Sequence, residues 1–450
     1  MSLHYHLIGI GGIGMGTLAS LLLAKGSKVS GSDIKESELI HQLRKNGATI
    51  TIDHQTRNVH GAAFVVYSSA VRMNNPEMIE AVSLNISTLK RAQVLAQLVN
   101  EQIGITIAGA HGKTTTTSMI SYLLINAGLK PTTAVGGIIN GASYNANLGE
   151  GKYFVAEVDE SDGTFLYFQP QYSIITNIDF EHIDFYKDWE SIVGAYNKFI
   201  DCTKKDGCLI VCGEDHRLRQ MTAGKSTKIK YYGFSPTNDI FAAGIKTDGF
   251  HSSFSCHTAK GKLADFQLNV PGRHNILNAL ACITLGLELN IPIQVISETL
   301  AGFNGVKRRF QLKGNIDGVM VIDDYGHHPT EIIATLNAAK QFNPKRLLTI
   351  FQPHRYSRTK FLLNEFVDSL KLADELVLTD IYAASESVAQ GVPTKNLFDK
   401  LYYEMGPRVT YLKKEDILGH LRIHVRAGDL VLFLGAGDIY HLSDEFVLLL

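Results

Sequence analysis

Three times along this 450-residue chain an apolar run ends in a glycine-rich or polar turn and reopens as a helical pattern. Residues 5–8 enter Gly9-Ile-Gly-Gly-Ile-Gly14, and residues 103–108 enter Gly109-Ala-His-Gly-Lys-Thr114. Residues 319–322 enter Asp323-Asp-Tyr-Gly-His-His-Pro329. Strands that alternate with helices imply parallel sheets joined by crossover helices, an α/β fold. Ligands of such sheets gather at the carboxyl ends of the strands. Each of the three turns therefore stands where a ligand would sit.

The length suggests two to four domains. Hydrophobic residues make up 45% and charged residues 19%, the mix of a soluble globular protein. The net charge is -1, so no overall basic field draws the chain to nucleic acid or an anionic membrane. An anionic ligand must then be held by local chemistry. No basic segment with a long apolar stretch behind it opens the chain, and no run of about 18 apolar residues follows. The expectation is a cytoplasmic protein without membrane insertion. Five cysteines are too few and too irregular for a disulfide framework. Cys208, Cys212 and His216 have metal-ligand chemistry, but Cys208-Leu-Ile-Val-Cys212 reads as a buried strand. Residues 228–270 alternate polar and apolar positions between turn signals, which predicts a small antiparallel excursion. Residues 97–102 and 302–309 read as linkers.

The middle turn carries the sharpest chemistry. A Gly-Lys-Thr between strand and helix offers backbone N–H groups and a positive helix end to phosphates. Lys113 would meet the terminal phosphates and the Thr114 hydroxyl would hold Mg²⁺. The general pattern wants glycine five residues before Gly112, where this chain has Ile107; Gly109 gives a shorter loop. Downstream, Glu157-Val-Asp-Glu-Ser-Asp162 and Thr176-Asn-Ile-Asp-Phe-Glu-His182 close two apolar strands. Carboxylates and an imidazole there would complete a magnesium shell; taken alone, either segment is as well read as a solvated acidic turn.

Gly9, Gly11 and Gly14 fit a dinucleotide fingerprint, and Asp33 follows Gly14 by 19 residues as its ribose-binding acid. Physically this pattern asks only for a diphosphate at a helix end with a ribose nearby. A UDP-linked substrate meets that demand as well as NAD does.

Taken together these residues resemble the Mur ligase family. The resemblance runs through Gly9–Gly14, Gly31-Ser-Asp33, Ser68-Ser-Ala-Val71, Gly109–Thr117 and the two acidic segments. It continues in Pro271-Gly-Arg-His-Asn275 with Asn278, Arg308-Arg-Phe310, Asp323–Glu331 and Phe351-Gln-Pro-His-Arg-Tyr-Ser-Arg-Thr359. The resemblance implies three domains: a Rossmann-like UDP-sugar domain over 1–100, a central ATP-binding domain over 101–305 and a Rossmann-like amino-acid domain over 306–450. The central domain would be a P-loop parallel sheet with a small antiparallel sheet.

By the same resemblance Gly11, Gly12, Ile13, Gly14, Asp33, Ser68 and Ser69 would bind the UDP-sugar. Gly109, Ala110, His111, Gly112, Lys113, Thr114, Thr115, Asn278, Arg309 and Asp324 would bind ATP. Thr114, Glu157 and His182 would hold Mg²⁺, and Tyr325, His327, Arg355 and Arg358 would bind the amino acid. Lys113, His182, Arg309 and His327 would act in catalysis, His327 as a base by type and location. Two departures stand out. Ala110 occupies a position where the family usually has threonine, and the central domain looks shortened after His182; Lys198 is a candidate for the modified lysine that some members carry downstream of that histidine, but the branch this chain resembles does without one.

The implied reaction is ATP-dependent ligation of L-alanine to the lactyl carboxylate of UDP-N-acetylmuramate through an acyl phosphate, by a monomer or weak homodimer. A ligase that recycles the tripeptide L-Ala-γ-D-Glu-diaminopimelate onto the same sugar is the near alternative. A nucleotide- or NAD-binding sensor is the alternative of another class, but it has no evident use for His354-Arg-Tyr-Ser-Arg358.

Overall fold

The computed structural model describes residues 2–68, 70–137, 146–161, 163–181, 185–384, 386 and 394–450. Its contacts separate two compact units. The first contains Met1–Phe241, His257–Gly261 and Asn278–Thr299, and the second contains Ala242–Cys256, Lys262–Leu277 and Leu300–Leu450.

The first sheet comprises β1 (His4–Ile8), β2 (Lys28–Asp33), β3 (Thr49–Ile52), β4 (Phe64–Tyr67) and β5 (Ser87–Lys90). Its order is β3-β2-β1-β4-β5, with every pair parallel. Helices α1 (Ile13–Ala24), α2 (Glu38–Lys45), α3 (Pro76–Ser83) and α4 (Arg91–Asn100) connect or follow these strands. Residues 97–100 therefore belong to α4 rather than to a linker. Leu95, Leu98 and Val99 of that helix are buried in an apolar core that also takes in Leu7, Phe165 and Leu218. This shared core joins the first sheet to the second, because a helix with three apolar positions in five residues is worth more buried than exposed.

The second sheet is built from β6 (Ile103–Ala108), β7 (Thr132–Ala134), β8 (Ala146–Asn147), β9 (Tyr153–Glu157), β10 (Tyr172–Ile175), β11 (Cys208–Cys212) and β12 (Lys228–Gly233). The order β12-β11-β10-β6-β9-β7 is parallel throughout, and β8 closes the edge antiparallel to β7. Such strands are covered on both faces and read as unbroken apolar runs, as Ile-Thr-Ile-Ala and Cys-Leu-Ile-Val-Cys do. Burial pushes the Cys208 thiol up to about 12 and the Cys212 thiol to about 11, which disfavours the thiolates a metal would need. The expected antiparallel excursion begins later than residue 228. β12 belongs to the parallel sheet, and β13 (Ile240–Asp248) still pairs parallel to it at Ile240 and Phe241, before β14 (His251–Thr258) and β15 (Gly261–Leu268).

Helix α5 (Lys113–Asn126) opens directly from β6 through the phosphate loop. Four consecutive threonines, Thr114–Thr117, would weaken an isolated helix. Here all four are buried, and Thr117 Oγ1 donates back to Lys113 O at 2.8 Å. Gly128, with φ +72°, ends the helix, and Leu129 N reaches Leu124 O. Helix α6 (Trp189–Cys202) buries Tyr196 and Phe199 and leaves Lys198 exposed.

The second unit's sheet has β16 (Gln311–Ile316), β17 (Val319–Asp324), β18 (Arg346–Phe351), β19 (Glu375–Leu378), β20 (Val409–Tyr411) and β21 (Asp429–Leu434). The order is β16-β17-β21-β18-β19-β20, parallel except for the edge strand β16. Phe310, Ile322, Leu336, Phe351 and Leu432 form one of its cores.

Candidate active site

The phosphate loop is held from below by the turn after β10. Ala110 N donates to Asn177 O at 3.2 Å, and His111 N donates to Asn177 Oδ1 at 2.9 Å. Thr176 Oγ1 donates to His111 O at 2.6 Å, and the His111 ring meets Asp179 at 2.9 Å. Gly109 has φ +131°, and a β-carbon there would stand 2.1 Å from Thr176 Oγ1. Glycine is required at this position by conformation and by space. Gly112 caps α5 in the left-handed region, at φ +81°.

Lys113 Nζ lies 2.6 Å from Gly109 O, 3.3 Å from Ala110 O and 3.0 Å from each carboxylate oxygen of Glu160. Ala110 thus contributes its backbone carbonyl, which a missing hydroxyl does not alter. Burial opposes the charge on Lys113. Glu160, then Asp159, Glu181 and Glu157, nevertheless hold the ammonium above the usual lysine range. Thr114 Oγ1 donates to Glu157 Oε1 at 3.0 Å, and Gly136 N donates to Glu157 Oε2 at 2.9 Å. A hydroxyl and a carboxylate set side by side next to the loop are hard oxygen donors of the kind Mg²⁺ takes, so these residues fit that ion. His182 lies outside the described residues. Thr115 is buried in the first turn of α5. Asn278, expected among the ATP-binding residues, is buried and accepts from Thr116 Oγ1 at 3.1 Å.

A cleft of about 850 Å³ opens over the glycine turn of the first sheet. Gly11, Gly12, Ile13, Gly14, Asp33 and Ser68 all line it, while Ser69 lies outside the described residues. Asp33 ties the turn down: Oδ2 accepts from Gly11 N at 2.8 Å and Oδ1 from Ile34 N at 2.7 Å. The cations Lys35, Arg72 and Arg91 also line the cleft and were not singled out from the sequence. Only the fold reveals Arg91, whose guanidinium would sit 3.3 Å from a β-carbon at Gly14. The wall also includes His54, whose Nδ1 is 2.9 Å from Oε2 of the fully buried Glu77. Ser32 and Asn58 each donate to Glu77 at 2.6 Å. Burial opposes its charge, but these bonds with that of His6 bring its carboxyl down to about 2.

In the second unit, Tyr325, His327, His354 and Arg358 converge at the carboxyl ends of β17 and β18. The His327 ring stands edge-on to Tyr325 at 5.4 Å and to His354 at 5.7 Å. His327 Nδ1 faces Tyr325 O at 3.1 Å and Glu331 Oε2 at 3.4 Å. Both neighbours only accept, so Nδ1 is the nitrogen that donates toward them. Arg358 Nη1 lies 3.3 Å from His354 Nδ1. Burial, reinforced by His327, Arg358, Arg355 and Arg308, brings His354 down to about 3, so it stays neutral among cations. Its ring stacks on Tyr382 at 5.7 Å, a partner that sequence spacing had no means to reveal. Arg355 has φ +70° and donates N–H to Tyr382 O at 2.9 Å; a non-glycine residue held there marks local constraint.

Arg309 lies over the Tyr325 ring at 4.9 Å, with Glu331 3.9 Å away. Asp324, expected among the ATP-binding residues, is buried and accepts from Phe310 N at 2.7 Å, Gly326 N at 2.8 Å and Thr335 Oγ1 at 3.0 Å. Its observed work is to pin the chain entering β16 to the end of β17.

Three family descriptions match in chain order. They are the Mur ligase family catalytic domain over residues 4–103, the Mur ligase middle domain over 107–286 and the Mur ligase glutamate ligase domain over 308–437. The chain belongs to the Mur ligase family. Within it, the chain is 45% identical over 445 residues to a UDP-N-acetylmuramate–L-alanine ligase of Trichlorobacter lovleyi, covering 98% of each chain. The crystal structure of a UDP-N-acetylmuramate-alanine ligase from Thermotoga maritima matches with TM-score 0.84 at 30% identity, covering 99% of this chain and 98% of that one. A murein peptide ligase from Psychrobacter arcticus matches with TM-score 0.75 at 25% identity over 99% and 98%. Among the described residues, no helix is long and apolar enough to cross a membrane.

Proposed function

We propose that this chain ligates L-alanine to the lactyl carboxylate of UDP-N-acetylmuramate, using ATP and releasing ADP and phosphate. The observation that carries the alanine assignment is the 45% identity, over 98% of both chains, to a ligase of that name. The greater likeness to the alanine ligase structure than to the murein peptide ligase points the same way.

A carboxylate is a poor electrophile because oxide does not leave. Moving the γ-phosphoryl group onto a lactyl oxygen releases ADP and makes an acyl phosphate. The alanine amine then attacks the carbonyl carbon, the C–O bond to phosphate breaks and an amide remains. Lys113 and Arg309 offset the repulsion between phosphates and carboxylate, and the loop amides of Gly109–Thr115 cradle the nucleotide. Thr114, Glu157 and His182 would hold Mg²⁺, which when bound would neutralise charge on the phosphates. Asn278 and Asp324 serve the nucleoside end of ATP. The cationic cleft at Gly11–Gly14, with Asp33, Ser68 and Ser69, takes the UDP end of the sugar. Arg355 and Arg358 pair the carboxylate of alanine in a two-pronged way, and Tyr325 closes its pocket. His327 Nε2 accepts the proton that the amine gives up. The enzyme works in the cytoplasm on small molecules as a monomer or weak homodimer, at the first step of building the peptidoglycan stem peptide.

Incubation with ATP, UDP-N-acetylmuramate and either single amino acids or L-Ala-γ-D-Glu-diaminopimelate, following phosphate release, tests the reading. Alanine-dependent release is expected. Faster turnover of the tripeptide would move the chain to the recycling reaction, and release with neither would remove it from ligation altogether.

A further inference from the structure

We propose that Glu160 is a positioning residue that occupies Lys113 in the nucleotide-free enzyme and yields it to the terminal phosphates of the bound nucleotide. The inference rests on the reading that Lys113 binds nucleotide.

The geometry is that of a saturated ammonium. Lys113 Nζ has three hydrogens, and three groups of the chain take them: Gly109 O, Ala110 O and the Glu160 carboxylate, whose two oxygens both lie 3.0 Å away. The pair is withdrawn from water, with 13% of the Lys113 side chain and 4% of that of Glu160 exposed. An incoming phosphate finds no vacant direction on Nζ and has to replace one partner. The two carbonyls belong to the loop that must keep its shape, so the carboxylate is the partner that yields. Glu160 is also held from its backbone, where Tyr186 Oη donates to its carbonyl at 2.7 Å. Its side chain can therefore move while its place in the chain stays fixed.

Two consequences follow. In the empty enzyme the pair keeps a buried ammonium compensated and the lysine aimed at the loop mouth, so the site is shaped before ATP arrives. In the loaded enzyme the displaced carboxylate adds to the negative field that Asp159, Glu181 and Glu157 already set around Lys113, and so opposes nucleotide binding. Breaking the pair and leaving its carboxylate beside the phosphates costs more than the preshaping returns, so Glu160 limits nucleotide affinity.

The test uses the full-length chain, with ADP titrated by calorimetry and the steady-state KM for ATP measured for wild type, Glu160→Gln and Glu160→Asp. Glutamine keeps the shape and loses the charge. Aspartate keeps the charge but is one methylene too short to hold Nζ in both directions. Exchange predicts that both variants bind ADP about tenfold more tightly and lower the KM for ATP, with kcat not raised. Unchanged or weaker ADP binding in Glu160→Gln overturns the proposal. So does tightening in Glu160→Gln with wild-type affinity in Glu160→Asp, since that pattern is a field effect without exchange. Should Glu160→Gln fail to fold, the aspartate variant alone decides by the same criterion. The underlying reading has a separate failure: wild type that binds no ADP, or Lys113→Ala that binds it as wild type does.

Discussion

At Lys113 function and stability meet in one side chain. Sequence reasoning treats a phosphate-loop lysine as a solvated group whose removal leaves the fold untouched, but the ion pair with Glu160 is almost fully buried. Lys113→Ala is therefore expected to abolish phosphate release and also to destabilise the chain by about 3–5 kcal/mol, because it takes the paired cation from a buried carboxylate. Combining it with Glu160→Gln should recover most of the stability and none of the turnover, as urea unfolding beside the phosphate assay will show. Arg358 gives the complementary case. A lysine cannot copy a two-pronged contact with a carboxylate, and such a loss typically costs about 2–5 kcal/mol when the partner stays buried. Arg358→Lys should raise the KM for alanine by more than tenfold and leave those for ATP and the UDP-sugar nearly unchanged. If Arg358 serves only His354, beside which it lies at 3.3 Å, the variant loses thermal stability and keeps its alanine KM. These two residues were legible from motif and strand position. Glu160 was legible only as one of several acids, because no spacing rule says which carboxylate of a turn folds back onto a lysine.

The strand–turn–helix joints are where the local sequence speaks most clearly. β6 and β18 occupy the residues their apolar runs predict, since four or more consecutive β-branched or apolar positions suit a strand covered on both faces. Gly109 shows how narrowly such a joint is built. Gly109→Ala brings a methyl group to within about 2.1 Å of Thr176 Oγ1 and strains a φ of +131°. Loss of ADP binding in calorimetry, with the far-UV circular dichroism of the rest retained, is the expected result. Helix α3 carries a different device, with Asn75 capping Glu77 N at 2.8 Å while the Glu77 side chain gathers Ser32, His54 and Asn58. Glu77→Ala should cost about 3 kcal/mol in urea unfolding, by removing one acceptor from several buried donors. Nothing in residues 76–83 announces this hub. Its partners lie on β2 and in the segment after β3, and are brought together only by the parallel order β3-β2-β1-β4.

Over the whole molecule the buried ionisable groups set the response to pH. Burial brings His274 down to about 4 against the opposing pull of Glu331, and burial with neighbouring cations brings His354 to about 3, against an ordinary value of 6.5. Between pH 6.5 and about 3 the unfolded chain binds more protons at these sites than the native one, so stability rises with pH across that window. Glu77, at about 2 against 4.5, adds stability that is present above pH 4.5 and lost as pH falls through that range. Asp323 works in the opposite sense. Burial pushes it up to about 7 from 3.8, although the Arg308 guanidinium is 3.6 Å away, so its native proton stabilises below pH 3.8 and that contribution is lost as pH rises through 7. Thermal melts should therefore show stability climbing from pH 4 toward 6.5. Asp323→Asn should match wild type near pH 4 and exceed it at pH 8, by a margin that grows at up to about 1.4 kcal/mol per pH unit. A margin independent of pH would mean that Asp323 titrates in its ordinary range. By itself the sequence determined the α/β class, the three ligand-bearing turns, the phosphate loop and the family, because each of these depends on residues close together in the chain and on periods of two and 3.6. Tertiary structure alone decided that α4 is core rather than linker and that Arg91 overlooks the glycine turn. It decided too that Asp324 pins the chain entering β16 and that Glu160 holds Lys113. Each of those is a contact between residues brought together by the order of strands in a sheet or by the packing of helices against it, and local pattern carries no record of either.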